Sequence, residues 1–262
     1  MFLHPFFKHL HTMKLFTAVK RQIPNLITLG NLTFGVVACY HAALGSLREA
    51  AVCIMAGIFL DFFDGLAARL LKVASPVGKE LDSLADVVTS GVAPALILFH
   101  IIGMLSAYND YPELLEWLCY TAFLIPAFSA YRLAKFNLDT RQSHSFLGLP
   151  VPSNALIWVG LALSLYNVYA IPAFLSSLLF PCILVAVSLV TDILMVTELP
   201  MFSLKFNFKD LSWNTNCVQY IFLIGCAAII ALTRQWYAIS LIILWYILLS
   251  LLTQRKHKTD EQ

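Results

Sequence analysis

Residues Asp61 to Asp86 read DFFDGLAARLLKVASPVGKELDSLAD, a stretch that sets four carboxylates, Asp61, Asp64, Asp82 and Asp86, between two long apolar runs. An acidic side chain at the middle of a spanning helix costs roughly 2.5–3.5 kcal/mol on insertion scales, so four would cost on the order of 10 kcal/mol if nothing compensated them. A cation, a substrate or water has to offset that. The stretch is therefore both a turn between two helices and a candidate site.

The surrounding chain is oily. Of its 262 residues 60% are hydrophobic and only 12% charged, with a mean hydropathy of +0.78. An ordinary soluble domain is roughly 45–50% apolar. Apolar runs of near membrane-spanning length fall at about 24–44, 49–71, 80–104, 115–135, 149–168, 171–196, 216–233 and 236–253. They predict an all-α integral membrane protein of about eight transmembrane helices, in contact with the lipid bilayer and with no room for a soluble domain. The last two runs are separated mainly by Arg234 and Gln235, which implies a tight hairpin. Before the first run, Phe6, Phe7, Leu10, Leu15, Phe16 and Val19 alternate with Lys8, His9, Lys14, Lys20 and Arg21, the pattern of an amphipathic helix on the membrane surface. This segment has no small-residue cleavage site and is expected to be retained.

Eight spans divide the basic residues unequally. Fifteen of the seventeen Lys and Arg fall on one side, leaving only Arg48 and Arg234 on the other. Excess Lys and Arg marks the cytoplasmic face, so both termini are expected in the cytoplasm, with the protein in the cell (inner) membrane. The four aspartates then lie toward the cytoplasmic leaflet, within reach of a water-soluble metabolite and of a lipid arriving sideways. A net charge of +2 is too small to suggest nucleic acid as a partner. The six cysteines show no CxxC spacing and read as small hydrophobes. His41, His100 and His144 show no mutual metal spacing.

Residues three and four apart share a helix face. Asp61, Asp64, Gly65 and Ala68 form one stripe, and Gly78, Asp82 and Asp86 another. Facing each other, the stripes make a cage of carboxylates. Two bare carboxylates 4 Å apart repel by about 4 kcal/mol at an effective dielectric near 20, and hard divalent ions relieve this. Ligation by carboxylates alone suits Mg²⁺ or Mn²⁺ rather than zinc. Gly65, Ala68 and Gly78 leave these faces without bulk, and Arg69 adds a planar fork suited to phosphate. Together they read as a pyrophosphate site.

The eight spaced residues Asp61, Asp64, Gly65, Ala68, Arg69, Gly78, Asp82 and Asp86 resemble the signature of the CDP-alcohol phosphatidyltransferase family. Chance agreement at eight fixed positions is on the order of 10⁻¹⁰ per start point. The resemblance implies a membrane enzyme, usually a homodimer, with a six-helix core that transfers a phospho-group from a CDP-linked donor to an alcohol and releases CMP. On it, Asp61, Asp64 and Asp82 look like ligands of two divalent ions, and Asp86 like a ligand that doubles as general base. Gly65, Ala68, Arg69 and Gly78, with Asp61 and Asp82, would line the CDP site. The chain then divides into a juxtamembrane amphipathic segment at 1–23, the core at 24–197, and a C-terminal helical hairpin with a cytoplasmic tail at 198–262. The last two helices exceed the family core.

IPNLITLGNLTFGVVA, GKELDSLADVVTSGVAPA, YRLAKFN and FLGLPVPSNA resemble the bacterial, serine-using branch of that family, with a weaker likeness in LMVTELPMFSLK. That branch implies CDP-diacylglycerol and L-serine as substrates. Other acceptors in the same chemistry are glycerol 3-phosphate, an inositol phosphate and choline. Arg132 and Lys135 would bind a carboxylate or a lipid phosphate, or serve as positive-inside anchors. Asn25, Thr28 and Asn31 share a face of the first span and would contact the nucleotide or pack the helix. Asp192 is expected near the cytoplasmic end of the sixth span, where water can reach it. An ion-coupled transporter would need acidic groups near the midplane in two related halves, and residues 140–262 hold no matching cluster.

Overall fold

The computed structural model describes residues 3–73, 75–138, 146–165, 177–202 and 213–260, with side chains outside the description at 3–19, 21, 213–215 and 254–260. Its helices, in chain order, are α1 (Leu3–Ala43), α2 (Leu47–Leu71), α3 (Pro76–Asp86), α4 (Ala93–Ser106), α5 (Pro112–Leu118), α6 (Leu124–Leu138), α7 (Val151–Leu165), α8 (Leu179–Val196), α9 (Trp213–Thr233) and α10 (Ala238–Asp260). A π-helical segment, Val87–Val92, joins α3 to α4, and a 3-10 segment, Cys119–Phe123, joins α5 to α6. Among the described residues six stretches are long and apolar enough to cross a membrane: Gln22–Ala43, Leu47–Leu71, Pro76–Ser106, Pro112–Leu138, Leu179–Val196 and Asn216–Thr233. Val151–Leu165 and Ala238–Thr253 are shorter apolar helices. Each overlaps one of the runs in the sequence, and the chain is a multi-pass membrane protein.

The expected surface segment and the first span are one backbone helix that passes through Pro24. Pro24 removes one backbone donor there, and Thr28 Oγ1 lies 3.0 Å from its carbonyl. The amphipathic face proposed for residues 1–23 depends on side chains outside the described residues, as does His144. The tight hairpin expected at Arg234 and Gln235 is present: Arg234 has a φ of 50°, and the Ala238 N–H donates to Gln235 O at 3.1 Å.

Local sequence explains the turn inside the acidic stretch. Lys72 closes α2 in the left-handed conformation, its N–H directed to the carbonyls of Ala68 and Arg69. Ser75 then caps α3 by accepting from the Gly78 N–H at 3.0 Å, with Pro76 in the first turn. The chain thereby turns from α2 into α3 with the carboxylates of both helices near the turn, each helix packed against α1. α1 packs along α2, and α3 lies against α1 and α6. Gly57 of α2 permits the first approach: a Cβ there would lie 2.8 Å from Asn31 Oδ1 and 2.5 Å from Thr89 Cγ2. The apolar core is centred on Trp158, Ile97, Leu98, Ile101 and Ile102. All six cysteines are free.

A two-residue antiparallel pair, β1 (Phe146–Leu147) with β2 (Pro200–Met201), hooks the segment before α7 onto the segment after α8. Gly148 makes this possible. Its φ is +73°, and a Cβ would lie 2.6 Å from Met195 O and 2.8 Å from Thr197 O. Its N–H donates to Leu199 O at 2.9 Å. The end of α8 is thus fixed beside α6.

Candidate active site

α1, α2 and α3 bring the predicted acids together. Carboxylate oxygens of Asp61, Asp64 and Asp82 all lie within 4.8 Å of one another, a separation at which each charged pair repels by about 3–4 kcal/mol at an effective dielectric near 20. Asp64 is buried and accepts a hydrogen bond from Thr28 Oγ1 at 2.5 Å. Asp82 Oδ1 is buried without a hydrogen-bond partner. A compact, oxygen-only donor set with an unpartnered oxygen fits a hard divalent cation.

Asp86, one turn further along α3, lies outside that group of three. It is 8% exposed and accepts from Asn31 Nδ2 at 3.4 Å, while its charge interacts with those of Asp82, Asp64 and Arg132. Asn31 is itself held: Thr89 Oγ1 donates to its carbonyl at 3.1 Å. Thr89 belongs to the π segment that begins immediately after Asp86. Such segments add a residue to one turn and recur beside functional sites. Here it aligns Thr89 with Asn31 while leaving Asp82 and Asp86 facing α1 and α2.

A groove of about 210 Å³ opens beside the acids, lined by Pro24, Asn25, Thr28, Asp64, Gly65, Ala68, Val73, Ser75, Gly78, Lys79 and Asp82. A Cβ on Gly65 would meet only Arg69 Nη2, at 3.9 Å, so the space this glycine leaves is groove and not a neighbouring helix. Arg69 is not among the lining residues; it is exposed, with Nε donating to Gly65 O at 2.9 Å. Thr28 lines the groove, whereas Asn31 sits deeper with Asp86. The sequence reading missed Ser75 and Lys79 as lining residues. Lys79, whose Nζ reaches Asn137 O at 2.9 Å, was visible only as another cytoplasmic cation, although it follows Gly78 at a helix start.

The second predicted pair, Arg132 and Lys135, lines one narrow cleft, with different partners. Arg132 is buried, with Nε lacking a partner and the guanidinium 5.5 Å from the centre of the Phe136 ring. Lys135 pairs with Glu198 at 3.1 Å. Asp192 departs from expectation: it is 1% exposed, so water does not reach it. It lies on α8, which packs against α6.

The family model described as CDP-alcohol phosphatidyltransferase matches residues 21–204. The chain is similar to a CDP-diacylglycerol–serine O-phosphatidyltransferase of Bacillus subtilis, 37% identical over 145 residues, or 55% of this chain and 77% of that one. A protein of the same description from Helicobacter pylori is 34% identical over 193 residues, covering 73% of this chain and 74% of its own. One from Methanocaldococcus jannaschii is 32% identical over 171 residues, covering 65% and 72%. The matched range spans α2 and α3 with their acids, the groove between them and the hook that ends α8, and on that match the chain belongs to the CDP-alcohol phosphatidyltransferase family.

Proposed function

We propose that this protein transfers the phosphatidyl group of CDP-diacylglycerol to the hydroxyl of L-serine, yielding phosphatidylserine and CMP for phospholipid biosynthesis. The observation that carries the reading is the convergence of Asp61, Asp64 and Asp82 at the mouth of an open, glycine-lined groove. Asp61, Asp64 and Asp82, with Asp86 beside them, would hold two divalent ions, Mg²⁺ or Mn²⁺. When bound, such ions would supply positive charge that stabilises the CMP phosphate as the bond between the two phosphates of the donor breaks and CMP leaves.

The chain's own residues do the rest. The groove between Gly65, Ala68 and Gly78 receives the cytidine diphosphate, and Arg69 and Lys79 meet its phosphates. Thr28 fixes the carboxylate of Asp64. Asn31, anchored through Thr89, holds one oxygen of Asp86 and turns the other toward the acceptor. Asp86 takes the serine hydroxyl proton as the oxygen attacks the phosphorus. Burial of Asp64 and Asp86 keeps bulk water, the competing nucleophile, from the reacting centre. Arg132 and Lys135 face the acceptor carboxylate. The charge asymmetry supports cytoplasmic termini and a site opening to the cytosol in the inner membrane, and the family resemblance supports a homodimer.

CMP release tests the acceptor directly. Purified protein with CDP-diacylglycerol and Mg²⁺ or Mn²⁺ is given serine, glycerol 3-phosphate, inositol phosphate or choline in turn. Serine-dependent release is expected. Release with glycerol 3-phosphate and none with serine would overturn the acceptor assignment.

A further inference from the structure

Beside the acids, the hooked end of α8 holds a second group of charges that the acid cage does not use. Lys135 Nζ lies 3.1 Å from Glu198 Oε1, both half-exposed. With Arg132, Phe136, Leu147 and Met195 they line a narrow cleft. Arg132 closes its inner end: buried, its Nε without a partner, and in electrostatic contact with Asp86. Glu198 (negative) and Lys135 (positive) are thus half-exposed, Arg132 (positive) is buried behind them, and the charge that Arg132 meets, that of Asp86 (negative), lies outside the cleft lining. Exposed ion pairs such as Lys135–Glu198 hold weakly and exchange readily.

This set of charges is the complement of a small zwitterion carrying a hydroxyl. We infer that the Lys135–Glu198 pair stands in for the acceptor and gives way to it: the acceptor's carboxylate takes Lys135 and Arg132, its ammonium takes Glu198, and its hydroxyl reaches Asp86. Glu198 thereby selects for a free amino group. The loop carrying it is fixed for that task, since Gly148 N–H bonds Leu199 O at 2.9 Å and Thr197 N–H bonds Ile193 O at 3.1 Å. The inference rests on the reading of serine as acceptor and adds a residue to it.

The test compares L-serine with two truncated acceptors, 3-hydroxypropanoate, which lacks the ammonium, and ethanolamine, which lacks the carboxylate. The full-length protein in detergent or vesicles is used, with CDP-diacylglycerol affinity as the control for folding. Glu198→Gln is expected to raise the KM for serine and to lower the kcat/KM preference for serine over 3-hydroxypropanoate at least tenfold. Lys135→Gln is expected to lower the preference for serine over ethanolamine. The double exchange Lys135→Glu with Glu198→Lys restores an ion pair across the cleft, and serine KM is expected to stay high, because a reversed zwitterion points its hydroxyl away from Asp86. Recovery of serine KM in the double exchange, or an unchanged preference in Glu198→Gln, would overturn the inference while leaving serine as acceptor. An unmodified protein that does not use serine at all would remove both.

Discussion

Asp64 accepts a hydrogen bond from Thr28, thirty-six residues away in sequence, and one of its oxygens lies within 4.8 Å of oxygens of Asp61 and Asp82. Losing a hydrogen bond to a charged group costs about 1.5–3 kcal/mol. Thr28→Val should therefore lower kcat/KM by roughly ten- to a hundredfold in a CMP-release assay, with Thr28→Ser close to normal. A Val variant at full rate would separate Thr28 from the site. Asp86→Asn should reduce turnover on the order of 10²–10⁴-fold, the range for removing a general base, with the protein still folded by thermal denaturation. Gly65→Leu tests the groove: a Cβ there meets only Arg69 Nη2, at 3.9 Å, so its melting temperature should hold while affinity for CDP-diacylglycerol falls at least about tenfold, roughly 1.4 kcal/mol. A loss of stability with normal affinity would mean that Gly65 serves packing instead.

At the scale of elements, the 3.6-residue helical period made the acids legible. Asp61 and Asp64 share one face and Asp82 and Asp86 another, and the turn signals Lys72, Ser75 and Pro76 fold the faces together. What the period does not contain is how helices dock. The partners Thr28 with Asp64, Asn31 with Asp86 and Lys135 with Glu198 depend on three separate contacts between elements, and the burial of Asp192 on the packing of α8 that the last of these shares. Nor does local pattern distinguish a π turn at Val87–Val92 from ordinary helix, because the extra residue is stabilised by Thr89 reaching Asn31 across the bundle. Gly57 is the packing position behind this. Gly57→Val would force side-chain atoms into Asn31 and Thr89, and overpacking of this kind costs typically about 1–3 kcal/mol. Its melting temperature in detergent should drop and activity should drop with it; unchanged values for both would show that α1 and α2 can move apart freely.

For the whole molecule, the uneven distribution of Lys and Arg is the basis of the proposed orientation, in which the acidic cluster of an oily chain is a site facing the cytosol. A reporter fused after Gln262 should read as cytoplasmic, and an extracytoplasmic reading would reverse the placement of every charge. The central claim joins that placement to chemistry at the acids. The most direct test follows radiolabelled L-serine into lipid in vesicles containing CDP-diacylglycerol, the protein and Mn²⁺. Phosphatidylserine and CMP should form in equal amounts, stop on addition of a chelator and resume when Mn²⁺ is restored, with Asp86→Asn inactive though folded. Product formed without any divalent cation, or an Asp86→Asn protein working at the unmodified rate, would contradict the account.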